Sequence, residues 1–462
     1  MRIVYNLKRM HEALGAIWLS RELVSHDQWT VEDIKVYQRR HLNSLIKFAR
    51  ERSPFYRELY AGLNPENYEY TQLPVIDKKV MMENYDRFVT DPRLKLNNLE
   101  RHCEDMKRDT YYLGQYRVMS TAGSSGFRGV FAFNRNEWRT ILAMFQRAGK
   151  QMGMGVRLPN RLRMASIVAY EPVHSSSRVP ESADFGLVAL LRRSAADRLE
   201  DLVAALNKFQ PEVLSMYPSI GTMLAEEQLE GRLNIKPSVF VVNSEICTHE
   251  MKRIMVAAWG NNFFNAYSST EVLTIGMSCP RDKGIHIFED FAIVEVVDEN
   301  NRPVPDGVLG RKILITNLHY FTQPLIRYEI TDMVKLASSP CTCGRPFKLI
   351  ETMEGRINDI LELEGINSKK VLVNPSLFYS IEKMHLIRQY QVVHRNDGLH
   401  FNLVPRHSND KEEIVKEVNS VIRDSLASIG VKCPPLSVHF FNQLEREQNS
   451  MSKLKLIKKE IA

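Results

Sequence analysis

Between about residues 137 and 275 the chain alternates helical stretches with short apolar runs. That alternation restricts the fold more than any other feature. The runs span residues 163–170, 212–218, 238–243 and 263–268. Each has the length of a buried strand and falls short of an ordinary helix. Strands that alternate with helices build a layered α/β domain, because each helix covers a sheet face that would otherwise stay apolar and wet. The expectation for this stretch is an α/β domain with largely parallel strands.

The flanking segments read differently. Residues 1 to about 90 look helical, with apolar residues at helical spacing across 34–60 and Ser53-Pro54 as a stop or restart. Residues 111–135 read as strand, small polar glycine-rich loop, strand. Residues 286–335 are richer in β signals, with a turn at Pro305-Asp306-Gly307. A boundary falls near Arg356–Asp359. Beyond it the pattern predicts a helix over 375–384, strands over 387–395 and 399–406, a helix over 411–429 and a strand over 436–442. The predicted architecture is α/β. A large layered N-terminal domain, residues 1–356, has parallel sheets and a β-rich subdomain. A small mobile α+β C-terminal domain takes residues 357–462.

At 462 residues the chain exceeds one ordinary core, and 25% charged with 44% hydrophobic residues is a globular balance. No stretch reaches the 18 or so apolar residues of a membrane span. The first residues are broken by charges and read as an amphipathic helix, so the expected location is the cytoplasm and no membrane partner is expected. Six cysteines in a chain of this length do not make a disulfide framework. The net charge of +7 suits an anionic ligand such as a nucleotide. No nucleic-acid partner is expected, because the one dense basic run is Lys453, Lys455, Lys458 and Lys459. A homodimer is compatible with the chain.

Five segments can carry chemistry, and none is specific by itself. Residues 120–129 (Ser120, Thr121, Ala122, Gly123, Ser124, Ser125, Gly126, Phe127, Arg128, Gly129) can turn backbone N–H groups and hydroxyls toward a phosphate; taken alone they are an ordinary Gly/Ser loop. They are not a P-loop, because no Lys-Ser or Lys-Thr follows the last glycine. Tyr267, Ser268, Ser269, Thr270 and Glu271 follow an apolar strand, where a carboxylate can hold magnesium and a ring can stack on a base; equally they are a helix N-cap. Asp332, closing a strand after Arg327-Tyr328, can accept from ribose hydroxyls or be a turn aspartate. Gly355-Arg356-Ile357-Asn358-Asp359 is the fourth segment. Met451-Ser452-Lys453-Leu454-Lys455 is the fifth, and otherwise a solvated tail.

The order and spacing of all five resemble the adenylate-forming superfamily, and within it the phenylacetate–CoA ligase-like branch. There an SSGTTG-type loop is followed by Y-x-x-[ST]-E, R-Y-x-x-x-D and G-R-x-D-D elements and a C-terminal lysine. The resemblance covers nearly the whole chain. It implies an AMP-forming carboxylic acid–CoA ligase that uses ATP, Mg2+ and coenzyme A. It implies that Ser120, Thr121, Gly123, Ser124, Ser125 and Gly126 embrace the ATP phosphates, and that Asn243, Ser244 and Glu245 lie beside the adenine. Tyr267 would pack on adenine, Thr270 contact the α-phosphate and Glu271 bind magnesium. Asp332 and Arg356 would hold the ribose, Asn358 sit at the hinge, and Lys453 bridge ATP and the acid carboxylate. The sequence departs from the pattern at Phe127-Arg128, at Asn358 in place of a hinge aspartate, and at Ser452 in place of glycine. Lys455 is a competing candidate for the catalytic lysine.

Cys279, His286, Cys341 and Cys343 make a three-cysteine, one-histidine set of the kind that holds structural zinc; the alternative is reduced thiols in turns. The acid pocket is expected from Tyr170, Glu171, His174, Phe185, Tyr217 and Ser219, whose aromatic and small polar character favours an aryl or arylacetic acid. The acceptor is coenzyme A, or else a carrier-protein thiol or an amine.

Overall fold

The computed structural model describes residues 2–461 except 65–67, 122–127, 155–159, 170, 184, 185, 187, 280, 282, 283, 408, 409 and 448–451. Its centre is a nine-stranded sheet. Five neighbouring strands are parallel, in the order Val188–Ser194, Leu162–Val168, Val213–Met216, Val239–Asn243, Phe263–Tyr267. Four of them are the apolar runs of the sequence. The fifth, Val188–Ser194, is the edge strand; it carries Arg192 and Arg193 and is half-buried along most of its length, so it lacks the signature of a central strand. The sheet continues antiparallel through Gly276–Ser278, Ile285–Ile287, Leu349–Arg356 and Asp332–Leu336. Helices Leu199–Phe209, Pro218–Leu229 and His249–Trp259 supply the covering layer, and Leu202, Leu206, Leu224 and Trp259 pack with Leu214, Met216 and Phe240.

A second core joins the N-terminal helices to the β-rich part. It contains the hairpin Tyr116–Ser120 with Val130–Asn134 and the three-stranded sheet Ala292–Val297, Lys312–Asn317, Tyr328–Ile330. Ser53-Pro54 acts as both stop and restart, ending helix Val31–Arg52 and capping Pro54–Leu59. Helix Arg135–Gln151 opens on a capping box between Asn134 and Glu137. The buried Glu137 carboxylate also accepts the N–H groups of Phe321 and Thr322, each at 2.7 Å, so one side chain both starts the helix and docks a loop. At the expected turn Gly307 takes a φ of 87°, which a side chain would strain.

After Arg356 the chain enters a short 3-10 turn, Ile357–Asp359, and then builds a core of its own. Strands Leu436–Phe440, Gly398–Pro405, Ile387–Arg395 and Ile457–Glu460 form its sheet, and helix Lys411–Ser428 buries Ile414, Val418, Ile422 and Leu426 against it. The helix expected over 375–384 is present as a 3-10 helix, Pro375–Lys383. Two readings change. The lysine-rich end is not a solvated tail, because Ile457–Glu460 pairs in parallel with Val392–Arg395. The first helix, Arg2–Ser25, is apolar on two opposite faces rather than one: Ala13, Ala16 and Leu23 are buried while Leu7, Leu14 and Trp18 are exposed. Among the described residues no helix is long and apolar enough to cross a membrane.

Candidate active site

Layered parallel sheets bind ligands at the carboxyl ends of their strands, where loops leave toward opposite faces. The sequence candidates gather there. Asn243 ends one strand, Tyr267 ends its neighbour, and Tyr217 follows a third. The Tyr267 hydroxyl donates to Asp332 Oδ2 at 2.7 Å, and the Arg356 Nε donates to Asp332 Oδ1 at 3.2 Å. Asp332 and Arg356 face each other across an antiparallel register, so their pairing follows from the sheet. Asp332 holds the Arg356 guanidinium above its usual range, while burial and then Asp332 push the Tyr267 phenol well above its own. Ser244 takes a left-handed φ of 68° and donates to Asn243 Oδ1 at 2.9 Å.

The base of the glycine-rich loop is held by the segment Val173–His174. Ser120 is buried, and its Oγ accepts from Arg128 Nη2 at 2.9 Å. Thr121 Oγ1 accepts the Gly129 N–H at 2.8 Å, closing the loop across its own neck. Gly123, Ser124, Ser125 and Gly126 lie outside the described residues, as do Tyr170 and Phe185. His174 is buried and donates Nδ1–H to the Ser120 carbonyl, 3.2 Å away. Burial, helped by the charges of Lys453 and Arg128, pushes the His174 imidazole down to about 4, so the ring is neutral at ordinary pH. Tyr217 is fully buried and accepts the Ala169 N–H at 2.9 Å, a pin beneath this region rather than an open wall.

The C-terminal segment reaches into the same space. Burial, followed by the Arg356 charge, pushes the half-buried Lys453 ammonium down to about 8, against the opposing pull of Glu245, Glu447 and Asp332. Lys455, two residues on, instead lies 3.4 Å from Asp359. Glu245 anchors the segment: its carboxylate accepts Ser219 N–H at 3.1 Å and Leu454 N–H at 2.8 Å, with Arg446 Nη1 at 3.5 Å. Arg446 Nη2 also donates to Ser219 Oγ at 3.0 Å. In this arrangement Glu245 and Ser219 are docking points for the lysine segment. Asn358 sits within the 3-10 turn that leads into the C-terminal core.

Glu271 is 9% exposed, and Lys78 Nζ lies 3.5 Å from its Oε1. Thr270 precedes it, half-buried. Sequence reasoning missed Lys78 and Arg446. Lys78 opens a six-residue helix nearly two hundred positions before Glu271, and nothing local marks it. Arg446 precedes the lysine segment in a stretch with no motif.

Cys279, His286, Cys341 and Cys343 come together with their ligand atoms within 4.8 Å of one another. Cys279 Sγ is 3.4 Å from Cys341 Sγ, and His286 Nε2 is 3.2 Å from Cys343 Sγ. The other ring nitrogen, Nδ1, faces the Phe347 carbonyl at 3.0 Å and must donate to it, which turns the Nε2 lone pair to the cysteines.

No family model matches the chain. Among curated proteins, a phenylacetate-coenzyme A ligase of Thermus thermophilus is 26% identical over 386 residues, 79% of either chain. One of Pseudomonas putida is 24% identical over 358 residues, 73% of this chain and 74% of the relative. Among solved structures, 2-hydroxyisobutyryl-CoA ligase in its postadenylation state superposes with a TM-score of 0.73 at 19% identity, covering 94% of this chain and 91% of that one. The same ligase in its thioesterification state scores 0.56 at 19% identity, covering 93% and 90%. At such identities the structural likeness shows the fold.

Proposed function

We propose that this chain, which belongs to the phenylacetate–CoA ligase-like branch of the adenylate-forming superfamily, is an AMP-forming acid–CoA ligase. The observation that carries the reading is Lys453, which the C-terminal segment brings among Asp332, Arg356 and His174. An acid carboxylate attacks the α-phosphorus of ATP, the bond to pyrophosphate breaks, and an acyl-adenylate forms. The thiol of coenzyme A then attacks the acyl carbonyl, and AMP leaves. The first step brings two anions together, so a cation between them lowers its barrier. Lys453 supplies that charge. Asp332 and Arg356 hold the ribose, Tyr267 packs on the adenine, and Asn243 and Ser244 line its edge. Ser120, Thr121 and the glycine-rich loop cradle the phosphates, with Thr270 on the α-phosphate. Glu271 suits a magnesium ion: its buried carboxylate already faces a cation, and the metal there would shield phosphate charge.

Residues 1–356 form the body and 357–462 a hinged unit turning about Asn358, because the two half-reactions need different groups at one centre. Aryl or arylacetic acids are the substrate class, with His174 bordering the acid and Tyr217 supporting that wall from beneath. Structural zinc fits Cys279, His286, Cys341 and Cys343. Three thiolates and one imidazole make a closed tetrahedral donor set, and the second-sphere bond to Phe347 orients the ring.

Acid-dependent exchange of labelled pyrophosphate into ATP, over a panel of aryl, arylacetic and short aliphatic acids, tests the reading. Exchange with aryl acids that Glu271→Gln abolishes is expected. Folded protein that binds ATP yet exchanges with no acid would leave a non-catalytic nucleotide-binding homologue. Exchange without acyl-CoA formation would transfer the acceptor role to a carrier-protein thiol or an amine.

A further inference from the structure

Helix Arg2–Ser25 packs its inner face on helix Arg135–Gln151 so closely that a Cβ at Gly15 would meet Arg139 Cδ at 2.4 Å. Its outer face is apolar as well. Val4, Leu7, Met10, Leu14, Ile17 and Trp18 are between 43% and 70% exposed. At 100° per residue they fall within an arc of about 140° and run for about 21 Å, and His11 is the one exposed polar residue inside it. A surface helix normally turns charge to water on that side. Six such side chains leave on the order of 600 Å² per copy, the size of the largest patch on a typical monomer and most of the roughly 800 Å² that a standard interface takes from each partner.

The pattern and the charges say what covers it. Leu7, Met10, Leu14 and Ile17 are successive a and d positions of a heptad, the seam of a helix pair. A membrane-surface helix would flank such a stripe with cations reaching outward. Here the two cations that flank its N-terminal half, Lys8 and Arg9, are drawn back into the protein, and Arg21 is the exposed cation beyond its C-terminal end. Lys8 Nζ donates to the Gly114 carbonyl at 2.5 Å, and Arg9 Nη2 donates to that of Glu181 at 3.0 Å. Glu12 is buried between Arg117 Nη1 at 2.6 Å and Arg135 Nε at 2.8 Å. We infer that the stripe is a homodimer interface, with helix Arg2–Ser25 of two copies packed antiparallel about a two-fold axis near residue 12. That symmetry sets Leu7 of one copy against Ile17 of the other and Met10 against Leu14, so the seam is self-complementary. A parallel pair would instead put the two Arg21 side chains, at the next a position, against each other and align the helix dipoles unfavourably.

Light scattering on the purified full-length protein, with the Leu14→Glu/Ile17→Glu double variant alongside, decides it. Wild type is expected at twice the chain mass at micromolar concentration. The variant is expected at half the wild-type mass, with unchanged circular dichroism and pyrophosphate exchange. A Met10→Cys/Leu14→Cys variant is expected to form an interchain disulfide on mild oxidation. A monomeric wild type, or a variant that stays dimeric, overturns the proposal. So does flotation of wild type with anionic phospholipid vesicles that the double glutamate variant loses, which assigns the stripe to a membrane. If the variant fails to fold, the disulfide decides: its absence in folded cysteine variant overturns the pairing.

Discussion

Burial sets the working range of Lys453. A lysine in water keeps its charge to about pH 10, whereas here the ammonium is pushed down to about 8. In the role proposed for Lys453, the protonated form is the one that bridges two anions. Its share is nearly complete below about pH 7, half at about 8, and small above about 9. In pyrophosphate exchange, kcat/KM for ATP reports the free enzyme, so its alkaline limb is expected near pH 8, and Lys453→Arg is expected to remove that limb. Lys453→Ala should slow exchange by about 100-fold or more, while transfer from added acyl-adenylate stays within a few-fold. Equal loss in both steps would contradict the role. The residue types were legible in the sequence, because Tyr267, Asp332, Arg356 and Lys453 each stood at a marked position. Which of two lysines faces the site was not, since it depends on Asp359 taking Lys455. Lys78 was invisible for the same reason: it meets Glu271 through folding alone.

At the scale of elements, two short pieces of chain are held by contacts between residues far apart in the sequence. The loop 341–345 is tied to the hairpin Gly276–Ser278 and Ile285–Ile287 through the cysteine and histidine side chains. Native mass spectrometry is expected to find one zinc per chain. Removing it with a chelator, or changing Cys343→Ser, is expected to lower Tm by several degrees. A protein of unchanged mass and Tm after chelation would mean plain thiols. The C-terminal strand Ile457–Glu460 is the other piece. An edge strand rich in lysine is well protected from pairing with other chains, and that same composition reads as a solvated tail. The preceding residues are anchored too, with Val392 N–H donating to Leu456 O and Gln391 Nε2 to Lys455 O, each at 2.8 Å. Deleting 457–462 is therefore expected to loosen Lys453 and cut the exchange rate about 10-fold or more, with ATP binding measured by calorimetry nearly unchanged.

At the scale of the molecule, ion pairs join the C-terminal core to helix Pro218–Leu229. Arg388 donates to Glu226 Oε2 and Glu227 Oε1 at 2.8 Å each, and Arg406 Nη1 lies 2.7 Å from Glu226 Oε1. Both glutamates are buried on helix Pro218–Leu229. Breaking such a pair strands the remaining charge, so it is a latch only while both partners stay in register. On the proposal that residues 357–462 turn about Asn358, Arg388→Ala with Arg406→Ala weakens the arrangement that presents Lys453. Exchange is then expected to fall about 10-fold while single-turnover transfer to coenzyme A holds or rises. Parallel loss of both would argue for a fixed unit.

The sequence by itself determined the layered α/β class, four of the five parallel strands and the order of the site elements. Each is written in local terms: apolar runs of strand length, a glycine-rich loop, a polar residue just past a strand end. Tertiary structure alone decided the rest. It set Lys453 in the field of Arg356, Glu245 and Asp332 and Lys455 beside Asp359, supplied Lys78 to Glu271, made Glu245 and Ser219 anchors for the lysine segment, and left a second apolar face on the first helix. Those outcomes turn on which side chains meet across long stretches of chain, and distance along a sequence carries no signal of charge pairing or burial until the strands have packed.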